Sequence, residues 1–189
     1  MSLINVAIVA VDGFSPFHYS VPCILFGDSV SGEKRFNVTI CAETPGFLTS
    51  KDGFALNATQ DYTAIGQADI VVVPYWQHVL ERPPQTLLDS LVQARDNGAE
   101  IVGLCLGSFV LGYAGILDGK RAATHWEFEH QFQLLLRLPQ LVFGMFALAL
   151  VGKVPQGKVN VRRHGEEQAL GLVIKGLSRL CHQDKHRIH

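Results

Sequence analysis

One cysteine stands where a nucleophile could be built. The string Ile101-Val102-Gly103-Leu104-Cys105-Leu106-Gly107-Ser108-Phe109 runs a short apolar stretch into a cysteine with glycines two residues before and two after. That is the G-x-Nuc-x-G spacing of a nucleophile elbow, here with cysteine at its centre. The central residue of such a turn is strained between a strand and a helix, and side chains at the flanking positions would strike neighbouring elements. A thiol at the start of a helix meets free N–H groups and the positive end of the helix dipole, which favour thiolate and lower the pKa. Cys105 is therefore expected to alkylate faster than Cys23 or Cys41, and the Leu106 N–H is a candidate oxyanion donor. The competing reading is an inert buried cysteine in a strand-to-helix turn. A second candidate is His125, in Leu117-Asp118-Gly119-Lys120-Arg121-Ala122-Ala123-Thr124-His125-Trp126, read as following a short strand and preceding a helix. A histidine near the cysteine is what thiol activation needs; a structural histidine beside an aromatic is the alternative.

The elements that must carry these residues alternate. Ile4 to Val11, Asn37 to Cys41, Ile70 to Val73 and Glu100 to Leu104 are β-branched or apolar runs, and most suit strands buried on both faces. Pro16 suits the first turn of a helix reaching about Phe26, and Asn97-Gly98 ends a second helix that begins at Pro84. Leu106 to Ala114 and Glu127 to Leu136 read as further helices. Lys51-Asp52-Gly53 is a hairpin-like turn inside Phe47 to Asn57. Strands alternating with helices at these spacings predict an α/β fold with a doubly wound, mainly parallel sheet and helices on both faces.

Composition narrows the function classes. The chain has 189 residues, 48% hydrophobic and 17% charged, which suits a globular domain with a large core and argues against disorder. A net charge of −1 excludes a nucleic-acid-binding polycation. Four cysteines with no C-x-x-C spacing exclude a disulfide scaffold and a zinc ribbon. The apolar N-terminal stretch lacks a preceding basic region and reads as a strand rather than a signal peptide. The apolar run from Leu141 to Gly152 is shorter than the roughly 20 residues a bilayer span needs. A cytoplasmic chain without membrane contact is expected.

Four strings in order resemble the ThiJ/PfpI group of the class I glutamine amidotransferase-like superfamily, and within it the N-terminal domain of AraC-type transcription regulators. They are Asp12-Gly13 with Ser15-Pro16-Phe17-His18-Tyr19-Ser20-Val21-Pro22-Cys23; Ala68-Asp69-Ile70-Val71-Val72-Val73-Pro74; Gly103-Leu104-Cys105-Leu106-Gly107-Ser108; and Ala114 to Trp126, whose Thr124-His125-Trp126 marks the regulator branch. The resemblance covers residues 4 to about 140 and implies a flavodoxin-like fold. It also implies Cys105 as nucleophile and His125 as its partner in members that are enzymes. Where such members carry a glutamate on the first helix, this chain has His18; where a glycine often follows the third strand, it has Tyr75-Trp76. Both departures favour a binding pocket over a hydrolase.

The resemblance thus implies a ligand-sensing and dimerisation domain, expected to be a homodimer and non-enzymatic. An unidentified small molecule would sit among Cys105, His125, His18, Tyr75, Leu106 and Trp126, with no cofactor. The alternative is a cysteine-dependent hydrolase or glyoxalase-like enzyme. The pattern divides at about residue 140: residues 1–140 hold the domain, and 141–189 a divergent extension. Residues 1–152 carry a net −6, residues 153–189 a net +5. A frameshifted, truncated or recombined gene, or a separately evolved tail, would produce that step. Leu141 to Leu150 reads as an apolar helix or strand. In the tail, Cys181, His182, His186 and His189 read as a solvated terminus rather than a metal site, and Lys158 to Arg163 as a basic face rather than a nucleic-acid patch. No helix-turn-helix pattern is present, so specific DNA binding by this chain alone is not expected.

Overall fold

The computed structural model describes residues 3–27, 34–120, 122–136 and, for the backbone, 148–151. Strands β1 (Ile4–Val9), β2 (Phe36–Cys41), β5 (Ile70–Val73), β6 (Glu100–Leu104) and β7 (Leu148–Val151) form one sheet in the order β2-β1-β5-β6-β7. All neighbours are parallel except β6 and β7. A separate antiparallel hairpin joins β3 (Gly46–Thr49) to β4 (Ala55–Ala58). The helices are α1 (Pro16–Phe26), α2 (Gln85–Asp96), α3 (Gly107–Tyr113) and α4 (Glu129–Leu136).

The apolar strands divide their side chains between two cores, as the two-residue period of a strand requires. Val6, Ile8, Ile70 and Val72 face α1, whose Tyr19 and Phe26 close that layer. Ala7, Val9, Val71, Val73 and Ile101 face the opposite way, against α2, α3 and α4. Leu87, Leu88 and Leu91 form the buried stripe of α2, and Phe109 of α3 meets Phe132 of α4 with ring centroids 4.8 Å apart. Each such side chain contributes roughly 1.5–3 kcal/mol by leaving water. The doubly wound α/β class read from the sequence is the one observed.

Two elements differ from that reading, and a third settles between its alternatives. Tyr62–Gln67 forms a 3-10 turn, because the Asp61 carboxylate accepts the Thr63 N–H at 2.9 Å and caps it. Among the described residues, no strand directly precedes His125. Residues 122–125 are extended but unpaired, and the Thr124 hydroxyl bonds instead to the turn at Cys105. Within Leu141 to Leu150, the part described is β-strand, running antiparallel to β6. The expected boundary at residue 140, the Cys181–His189 cluster and Lys158–Arg163 lie outside the described residues.

Among the described glycines, Gly107, where α3 meets β5, has the least room for a side chain. A Cβ on Gly107 would stand 2.0 Å from the Val73 carbonyl oxygen, whereas one on Gly103 would stand 3.0 Å from the Ser108 backbone. The Gly107→Ala substitution is therefore expected to cost about 3 kcal/mol or more and Gly103→Ala less. Thermal unfolding of the two variants checks the order.

Candidate functional site

Strand β1 pairs with β2 on one side and β5 on the other, so the winding direction reverses between β1 and β5. In open α/β sheets ligands bind at such a point, beyond the carboxyl ends of the strands. A cleft of about 310 Å³ opens there. The loop after β1 supplies Phe14 and Ser15 to it, α1 supplies His18, and the segment after β5 supplies Tyr75. The turn after β6 adds Cys105 and Leu106, the segment before α4 adds His125, Glu127 and Phe128, and the hairpin turn adds Lys51 and Asp52.

Cys105 has φ +49°, and no other non-glycine residue among those described has a positive φ. Holding a side chain there costs on the order of 1–3 kcal/mol. The carbonyl of the same residue is clamped by two hydroxyls: Ser108 Oγ donates to it at 2.6 Å and Thr124 Oγ1 at 3.3 Å. Ser108 Oγ also lies 3.0 Å from Thr124 Oγ1, and both residues are buried. The strained turn is thus tied to the segment that carries His125.

The thiol differs from the sequence expectation. Burial pushes Cys105 up to about 11, while the Leu106 N–H pulls in the other direction without prevailing. Helix α3 has seven residues, and its first turn does not offset the loss of water around a side chain only 4% exposed. At neutral pH the group is a thiol, not a thiolate.

The two histidines are held by their own neighbours. His18 Nδ1 lies 2.8 Å from Ser15 Oγ, and its ring stacks on Tyr75 at 5.5 Å. Ser15 is the residue before α1, yet its hydroxyl makes no capping bond to the helix. Burial, and secondarily the charge on His125, lower the His18 pKa. His125 Nδ1 accepts the Glu127 N–H at 3.3 Å, and Glu127 Oε2 lies 3.8 Å from the same nitrogen. In the neutral ring the proton is then on Nε2. No hydrogen bond joins the Cys105 sulfur to either imidazole among the described residues. Burial also raises the Tyr75 pKa, and the nearby Cys105 raises it further.

The structure brings His18, Tyr75, Cys105, Leu106 and His125 around one cleft. Trp126 does not line it: the indole stacks on the His125 ring at 5.8 Å and is 61% exposed. The alternation of the extended chain and the 3-10 turn that starts at Trp126 turn it outward. Sequence reasoning missed Ser15, Lys51, Asp52, Glu127 and the Ser108–Thr124 clamp. A serine before α1 with a histidine three residues on was a usable signal; nothing local says where the hairpin turn folds. No group of three His, Cys, Asp or Glu side chains among the described residues is arranged to hold a metal.

A doubly wound, mainly parallel sheet in the order β2-β1-β5-β6, with helices on both faces, defines the flavodoxin-like α/β class. Its structural neighbours are DJ-1/ThiJ/PfpI superfamily proteins, an AraC-family regulator among them. A ThiJ/PfpI family protein from Pseudomonas syringae superposes with a TM-score of 0.63 at 22% identity, over 74% of this chain and 57% of its own. The AraC family transcriptional regulator from Pseudomonas putida gives 0.59 at 22% identity, over 72% and 77%. At these identities the likeness is one of fold. No family model matches the chain. In sequence it is 34% identical over 94 residues to isonitrile hydratase of Pseudomonas putida, covering 49% of this chain and 41% of that protein. It is 31% identical over 88 residues to the HTH-type transcriptional regulator CdhR of Pseudomonas aeruginosa, covering 47% of this chain and 26% of the regulator. An uncharacterised protein encoded in the cpoL 5′ region of Streptomyces lividans is 27% identical over 136 residues, covering 71% and 95%. The chain thus matches less than half the length of the hydratase and of the regulator.

The raised thiol pKa gives an order of reactivity opposite to that expected from a helix terminus alone. Cys23 is exposed, Cys105 is buried, and Cys41 is buried and pushed up to about 12. Iodoacetamide at pH 7.5 should label Cys23 first, Cys105 more slowly and Cys41 last, with Cys105 labelling accelerating as pH rises towards 11. Peptide mapping by mass spectrometry over a pH series reads that order.

Proposed function

We propose that the chain is a ligand-sensing domain of the AraC-regulator type, with a nucleophile elbow at Cys105 retained as the floor of a binding pocket. The observation that carries this reading is that, among the described residues, no hydrogen bond engages the thiol with a base. The Cys105 thiol is protonated at neutral pH, and the histidine that could activate it keeps Nδ1 on the Glu127 N–H. A thiol-dependent hydrolase needs nucleophile, base and oxyanion donors engaged together, and removing one donor alone costs about 10²–10³ in rate. Residues 3–136 hold the pocket in this reading and have no DNA-reading role. No helix among the described residues is long and apolar enough to cross a membrane. A cytoplasmic location belongs to the proposal through the regulator role alone.

The domain acts as a homodimer in this proposal. Phe17 and Ile24 on α1 are 58% and 56% exposed, and Phe47 and Phe54 on the hairpin are 81% and 62% exposed. Such apolar surface suits a partner copy. Light scattering at micromolar concentration should give twice the chain mass; a monomeric mass would count against the dimer.

A second reading has its own support. The 34% identity to isonitrile hydratase favours a cysteine-dependent enzyme that adds water to a small substrate. Assays with an isonitrile, a peptide amide and methylglyoxal separate the two. We expect no turnover that depends on Cys105, and Cys105→Ala to unfold within about 1 kcal/mol of the parent chain. Turnover abolished by Cys105→Ala in a folded protein would establish the enzyme instead.

A further inference from the structure

Both histidines of the cleft have Nδ1 engaged within the protein, His18 by Ser15 Oγ and His125 by the Glu127 N–H. Nε2 is therefore the ring nitrogen each leaves for a ligand. The two rings line one cleft and lie close enough for the charge of one to act on the other. An anion between them would turn that repulsion into attraction. Lys51 adds a cation at the mouth, while Phe14 and Phe128 supply apolar wall.

The opposing charges are few and placed outward. Asp52 shares the exposed hairpin turn with Lys51, and the exposed Glu127 carboxylate approaches His125 from the Nδ1 side. The remaining titratable groups facing the pair are Tyr75 and Cys105, which burial keeps in their protonated forms, as donors without charge.

We propose that the cleft binds a small carboxylate together with one proton, which His18 takes up. The proposal deepens the sensor reading and rests on it. In the empty cleft, burial and His125 hold His18 neutral near pH 7. A carboxylate beside Nε2 supplies the counter-charge that both effects lack and raises the His18 pKa. Binding is then tight below the raised value and weakens as pH climbs through it, by up to about tenfold per pH unit.

Calorimetric titration of the full chain with benzoate, in two buffers of different ionisation enthalpy, measures affinity and counts protons. Benzamide serves as the neutral isostere and sulfate as the inorganic oxyanion. We expect benzoate affinity to fall about five- to tenfold between pH 6.5 and 7.5 with close to one proton taken up. Benzamide should bind more weakly and without pH dependence. In His18→Gln, whose amide still accepts the Ser15 hydroxyl, proton uptake should vanish while the unfolding midpoint holds. The proposal fails if neither benzoate nor acetate binds at millimolar concentration, if benzamide matches benzoate, or if the pH dependence survives His18→Gln. Sulfate binding as tight as benzoate would overturn carboxylate recognition in favour of a general oxyanion site. Cys105-dependent turnover in the assays above would overturn the sensor reading alone, because the proton count does not depend on it.

Discussion

The architecture around the cleft depends on one close approach, that of Gly107 to the Val73 carbonyl at the end of β5. With no side chain at 107, the start of α3 can lie against the neighbouring strand. Two residues earlier, at the tight turn out of β6, Cys105 takes a left-handed conformation at φ +49°. The strain is tolerated because the Cys105 carbonyl is gripped by Ser108 and Thr124, hydroxyls from two different segments. The clamp also holds Thr124 against the Cys105 turn, and with it the adjacent His125 beside the cleft. A steric constraint in the backbone thus fixes the positions of both residues with thiol or imidazole chemistry.

Burial, rather than helix polarity, sets the character of the cysteine. The short α3 offers one N–H, that of Leu106, while the surrounding core excludes water from the sulfur. The same desolvation disfavours the charged forms of the His18 imidazole and the Tyr75 phenol, lowering the pKa of the first and raising that of the second. In the sensor proposed above, such a site of neutral, hydrogen-bonding groups with charged residues at its rim serves recognition, since proton transfer needs groups poised near the working pH.

Much of the fold was legible in the sequence because parallel strands buried on both faces leave continuous β-branched runs, such as Ile4–Val9 and Ile70–Val73. Helix ends were marked by Pro16 and by Asn97-Gly98. Elements that depend on distant partners were not legible: the Tyr62–Gln67 turn rests on a single capping carboxylate, and residues 122–125 satisfy their polar groups through Thr124 rather than a ladder. For the site, Gly103 and Gly107 marked the Cys105 turn. The thiol's protonation was misjudged because local sequence reports the helix terminus but not the water excluded by other segments. Trp126 was misplaced for a related reason, since neighbours in sequence share a cleft only if the chain turns them the same way.

The hairpin is fastened to the lip of the cleft by two bonds. Thr49 N–H donates to Asp12 Oδ1 and Gly13 N–H donates to the Thr49 carbonyl, each at 2.8 Å. Just beyond β4 the chain is tied to β2, where the Thr59 N–H donates to the Ile40 carbonyl and the Ala42 N–H to the Gln60 carbonyl, each at 3.1 Å. The turn bearing Lys51 and Asp52 is therefore braced from both ends of the hairpin, and its two charges belong to the scaffold of the rim.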